Sequence, residues 1–177
     1  MIGLRFQPGA AAAWLRTPAS ALVDERVPLE AFWGSEASTL ADLVGEGRTP
    51  EGIAQRLETA LERKAVAVGP PDAIAPAIHR LIQSNRQAGV IPSLRDRLGL
   101  SERTLRRVCR KAFGYGPKRL ERILRFQRFL RLGRDSQSLG LAGLALAAGY
   151  ADQAHLTRET AELAGLTPRA ILAQLGG

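Results

Sequence analysis

The stretch Ser101–Phe113, Ser-Glu-Arg-Thr-Leu-Arg-Arg-Val-Cys-Arg-Lys-Ala-Phe, constrains this chain more than any other. Leu105, Val108, Cys109 and Ala112 recur at i, i+3, i+4 and i+7, the signature of one helix face. Arg103, Arg106, Arg107 and Arg110 repeat that spacing two residues earlier. Two residues turn a helix by about 200°, so the arginines stand opposite the apolar face. Ser101 suits an N-cap, and Glu102 adds an acid in the first turn. The spacing therefore predicts a helix that docks one face on a core and presents four guanidinium groups on the other. Their planar forks match phosphate oxygens and the O6/N7 edge of guanine. A merely solvated basic face is the alternative for any run of charge, and the rest of the chain decides between them.

Charge is unevenly placed along the 177 residues. Residues 1–75 carry seven Lys/Arg against ten Asp/Glu, whereas residues 95–134 alone carry fourteen against three. An excess concentrated in this way is the footprint of a polyanion partner. A membrane is not expected, because no apolar run of 18 residues occurs. Aromatics are only 5%, and Ala and Leu dominate, which favours helices. The single cysteine, Cys109, excludes an internal disulfide and a thiolate metal site. It lies on an apolar helix face and is expected to be a small buried hydrophobe. His79 and His155 sit on separate segments, so no metal site is expected from them, and no cofactor is expected. The N-terminus lacks a signal-peptide pattern, and the expected compartment is the cytoplasm.

Helix signals recur along the chain. Ile2, Leu4 and Phe6 alternate as a short strand would, and Pro8-Gly9 ends it. Residues 37–44 read as a short helix. Thr49-Pro50-Glu51 opens a longer one to about Ala65, with an apolar stripe of Ile53, Leu57, Ala60 and Leu61. Residues 66–71 read as a linker. Asp72 caps the next helix. Ser93-Leu94-Arg95-Asp96 resembles a capping box, and Gly99 turns the chain into the arginine-bearing helix. Pro117–Leu132 predicts a long helix with Leu120, Ile123, Leu124 and Leu130 inward. Arg119, Arg122, Arg125, Arg128 and Arg131 spiral around it, so some of them are expected to pair with acids or cover apolar surface. Residues 133–137 read as a loop and 138–148 as a helix. Gly149 makes a second turn, and Asp152 caps a helix to about Leu163. A short helix, a glycine turn and a longer capped helix thus occur twice, which is a helix-turn-helix layout.

Residues 74–177 resemble the DNA-binding domain of AraC/XylS-type bacterial transcription regulators. The first half carries Leu100-Ser101-x-Arg103-x-Leu105-x-Arg107 and Phe113-Gly114-Tyr115-Gly116-Pro117-Lys118. The second carries Ala147-x-Gly149-Tyr150-x-Asp152-Gln153-x-His155-Leu156-x-Arg158 and Gly165-Leu166-Thr167-Pro168. The resemblance implies an all-α fold with two helix-turn-helix subdomains joined by a long helix. It implies a DNA-binding regulator without catalysis, whose recognition helices, 101–113 and 152–163, enter successive major grooves. Arg103, Arg106, Arg107 and Arg110 on the first helix, and Gln153, Ala154, His155 and Arg158 on the second, are the implied DNA-binding residues. Thr160 and Cys109 depart from the pattern, which favours large aromatics at both positions.

Gly3-Leu4-Arg5-Phe6-x-Pro8-Gly9-Ala10 and Leu29-Glu30-x-x-Trp33-Gly34 resemble the tail of the sensor domain in some of these regulators. The expected organisation is a truncated sensor-like helical segment at 1–68, in a short form or a fragment, and a double helix-turn-helix domain at 72–177. The expected partner is double-stranded DNA, with RNA polymerase as a further candidate. The N-terminal helices are candidates for forming a homodimer or a heterodimer with a full-length regulator. Under the alternative reading the chain is an interaction module that acts only by such pairing.

Overall fold

Three helices begin where local capping chemistry requires. Thr49 Oγ1 accepts from Gly52 N–H at 3.1 Å, Ser101 Oγ from Thr104 N–H at 3.2 Å, and Asp152 Oδ1 from His155 N–H at 2.6 Å. Each bond satisfies one of the N–H groups that a helix start leaves without a partner. The computed structural model describes residues 4–69, 72–85, 89–135 and 139–175. Among these the helices are α1 (Ala11–Trp14), α2 (Glu30–Trp33), α3 (Ser35–Gly45), α4 (Pro50–Val68), α5 (Ile74–Ser84) and α6 (Ile91–Leu98). They continue as α7 (Glu102–Phe113), α8 (Pro117–Asp135), α9 (Leu141–Ala148), α10 (Gln153–Ala164) and α11 (Pro168–Leu175). No strand occurs among the described residues. Leu4–Phe6 are irregular, and the rest of the expected strand lies outside them.

The chain divides into two compact units, Met1–Pro76 with Val108–Gly114, and Ala77–Arg107 with Tyr115–Gly177. In the first unit α3 and α4 pack as a pair. Arg56 fastens them, donating to Leu43 O at 3.2 Å and to Glu46 Oε2 at 2.9 Å. Lys64 pairs with Glu36 and lies 4.5 Å from the Trp33 ring centroid, while Trp33 Nε1–H donates to Trp14 O at 3.0 Å. No residue of α4 is buried, so its apolar stripe is only half covered.

In the second unit α8 carries the packing, with α9, α10 and α11 around its C-terminal half. Phe129, Leu144, Ala145, Ala148, Tyr150, Leu156 and Ile171 form the buried cluster there. Leu120 and Leu124 are buried as expected, and Ile123 and Leu130 are half-buried. Phe129, fully buried, is the side chain that the sequence pattern did not single out.

Four boundaries differ from expectation. Helix α4 continues to Val68, so residues 66–68 are its last turn, and Gly69 ends it. Helix α6 starts at Ile91 with Pro92 in its first turn, where a missing N–H costs nothing. Ser93 is therefore inside the helix, and its hydroxyl donates back to Val90 O at 3.1 Å instead of capping. Helix α8 runs through Gly133–Asp135, where a loop was expected, because Leu132 still packs on the buried cluster. Helix α9 begins at Leu141 rather than 138, and residues 136–138 lie outside the described residues. Gly99 (φ 62°) and Gly149 (φ 94°) hold the left-handed conformation that both turns need, which a side chain would strain.

Candidate nucleic-acid interface

Helix α7 separates its two faces as its periodicity requires. Leu105 and Cys109 are fully buried, Val108 and Ala112 half-buried. Arg103, Arg106, Arg107 and Arg110 are all exposed. Arg106 faces Glu102 at 3.7 Å with both side chains 65% exposed, a contact worth little in water. Arg103, Arg107 and Arg110 make no hydrogen bond or ion pair among the described residues. Burial pushes the Cys109 thiol up to about 12, so it stays protonated and is no nucleophile at neutral pH.

The arginines of α8 behave differently. Arg122 donates to Glu159 Oε1 at 2.8 Å and also pairs with Glu162, and these carboxylates, Glu162 foremost, hold its guanidinium above the ordinary value. Arg125 is buried, 3.2 Å from Glu121 and 3.6 Å from Glu159. Arg128 donates to three backbone carbonyls. Arg119 lies 4.6 Å over the Tyr115 ring, and Arg131 is exposed. As the spiral spacing predicted, most of this row serves the protein's own interior.

Helix α10 presents Gln153, Ala154 and Arg158 to solvent and buries Leu156, Glu159 and Thr160. Thr160, where the family pattern favours an aromatic, is fully buried, and its hydroxyl bonds to Thr157 O at 3.0 Å. His155 is drawn back from the exposed ridge. Its Nδ1 accepts from Ala151 N–H at 3.4 Å, its Nε2 is 3.7 Å from Glu159 Oε1, and its ring stands edge-on to Tyr150. Sequence reasoning passed over Glu121 and Glu159, both buried, and gave Tyr150, also buried, no place in the core. Burial raises the Tyr150 hydroxyl well above its ordinary value, with the Glu159 charge adding to it. The i,i+4 spacing of Glu121 to Arg125 and of His155 to Glu159 was the available signal.

Two short helices, each followed by a glycine turn and a longer capped helix, with one long helix between the pairs, define a double helix-turn-helix DNA-binding domain. Residues 94–174 match a family model described as a helix-turn-helix domain, of the AraC type. This segment is an AraC/XylS-type DNA-binding domain, and its role lies in DNA-binding transcription regulation. No curated protein and no solved structure matches the chain. Among the described residues, no helix is long and apolar enough to cross a membrane.

Proposed function

We propose that the domain reads a two-part DNA site, with α7 and α10 in major grooves one helical turn apart, a half-site repeat of about 34 Å. The observation that carries this reading is the contrast among the arginines. Those inside α8 are largely paired with acids or carbonyls, while Arg103, Arg107 and Arg110 of α7 stand exposed and unpaired. Unpaired guanidiniums beside a buried face attract a polyanion and keep every donor available to it. Arg103, Arg106, Arg107 and Arg110 supply most of the phosphate attraction and some guanine contacts. Gln153, Ala154, Arg158 and the accessible edge of His155 supply discrimination, since Gln suits adenine, Arg guanine, and Ala the thymine methyl.

Selection from a random duplex library tests this. The wild-type chain is expected to return a motif with two conserved halves. Arg158→Ala is expected to relax base preference at one end of it, at a cost of about 1–3 kcal/mol for the base pair no longer read. An unchanged motif would remove Arg158 from the reading surface.

A second role, pairing through α3 and α4 with another copy of the chain, is favoured by one observation. The 19-residue α4 buries no residue, and Val66 is 86% exposed. Sedimentation is expected to find a dimer that Leu57→Asp splits. A monomer at tens of micromolar would count against pairing, and would leave the DNA reading intact. RNA polymerase is retained as a candidate partner of the DNA-bound protein.

A further inference from the structure

We propose that Arg128 sets the spacing between the two reading helices, acting as a ruler built into α8. The proposal rests on the two-part reading above. Arg128 Nη2 donates to Gln83 O at 2.7 Å and Asn85 O at 2.9 Å, where α5 ends. Its Nη1 donates to Ala148 O at 3.0 Å, in the last residue of α9. One guanidinium therefore caps the C-termini of two helices, one from each half of the domain.

The chemistry suits the task. Carbonyls at a helix C-terminus lack intrahelical partners and carry partial negative charge. A guanidinium holds its donors in one rigid plane, so it fixes three oxygens relative to one another and not merely to itself. Ala148 immediately precedes the Gly149 turn into α10, so fixing its carbonyl fixes where that turn begins. About one and two turns earlier on α8, at Arg125 and Glu121, a second tie runs in parallel. Glu121 accepts from Gly89 N–H at 2.7 Å, ahead of α6, and pairs with Arg125, which faces Glu159 of α10. Both halves are thus referenced to adjacent turns of one helix. Arg128 is a positioning residue; nothing in the proposal requires it to touch DNA.

The test uses the full chain and the two-part site selected by the wild type, with one base pair inserted or deleted between the halves. One base pair shifts the outer half by about 3.4 Å and turns it by roughly 35°. The wild type is expected to lose about tenfold or more in affinity, the equivalent of at least one misread base pair. Arg128→Ala and Arg128→Lys are expected to lose less than about threefold on the same change, with the base preference of each half unaltered. Lysine keeps the charge and the stem but offers a compact ammonium that cannot span both helix ends. Arg131→Ala removes the same charge from an exposed position on α8 and is expected to stay as strict as the wild type. Circular dichroism and thermal unfolding establish that each variant is folded. If Arg128→Ala does not fold, the lysine variant carries the comparison; if neither folds, the residue is simply structural and the proposal is overturned. Folded Arg128 variants as strict as the wild type overturn it alone, and so does an Arg131→Ala chain that relaxes equally. A wild type indifferent to spacing overturns the two-part reading and the ruler with it.

Discussion

With Arg103 and Arg107 both replaced by alanine, affinity for the selected DNA site is expected to fall by about 30- to 20,000-fold. Each lost guanidinium contact to a base edge is worth about 1–3 kcal/mol, and 1.4 kcal/mol is a factor of ten. The fold is expected to survive, because both side chains are exposed and unpaired and alanine is the better helix former. The control is Arg26→Ala with Arg48→Ala, which makes the same change in net charge at exposed positions outside residues 94–174. A fluorescence titration that finds equal losses in the two double variants would reduce the interaction to net charge and remove α7 from the groove. Salt dependence then separates the two roles an arginine can take. If both side chains grip phosphates, the slope of log affinity against log salt falls by about two. If both read bases, the slope holds and the selected motif relaxes at two positions.

Those arginines were legible in the sequence because their evidence is local. Helix periodicity places a residue on a face without reference to the rest of the chain, and α7 obeyed it at every position from Arg103 to Ala112. The caps at Thr49, Ser101 and Asp152 were legible for the same reason, since a cap is a bond three residues long. Ser93 shows where local chemistry misleads. It has the form of a cap, but Pro92 tolerates the first turn of a helix so well that α6 starts two residues earlier. Helix α8 was the least legible. Arginine at every third position blurs its apolar face, so Phe129 went unnoticed although it is the largest fully buried side chain among the described residues. The ion pairs that make this tolerable join residues 34 to 38 apart, such as Arg125 with Glu159, and no spacing rule reports contacts of that range. His155 met a related limit: the edge contact of its ring with Tyr150 and the approach to Glu159, which leave its side chain 28% exposed, depend on how the helices pack.

The largest stability effect is expected at Glu159. This carboxylate, only 8% exposed, faces Arg122 at 2.8 Å, Arg125 at 3.6 Å and His155 at 3.7 Å. Removing it leaves the buried Arg125 with Glu121 as its remaining acid. Breaking a buried pair in this way typically costs about 3–5 kcal/mol, because the surviving charge is kept from water and has lost one of its two counter-ions. Glu159→Ala is therefore expected to lower the melting temperature of the helix-turn-helix unit by roughly 12 °C or more. Glu102→Ala, which breaks the exposed pair with Arg106, is expected to shift it by no more than a degree or two. A multiple variant at the same charged group is expected to reverse part of that loss. With Arg125→Met and Glu121→Gln added to Glu159→Ala, all three members of the buried charged group are neutral, glutamine keeps an acceptor for Gly89 N–H, and no member is left as an unpaired charge. This triple variant should then melt above the Glu159→Ala chain, although it carries two more substitutions. A calorimetric scan that finds the separate losses simply additive would mean that these groups do not act on one another. In that case α10 is held to α8 by the apolar cluster around Phe129 and Leu156 alone, and the charged layer between the two helices contributes solubility and not position.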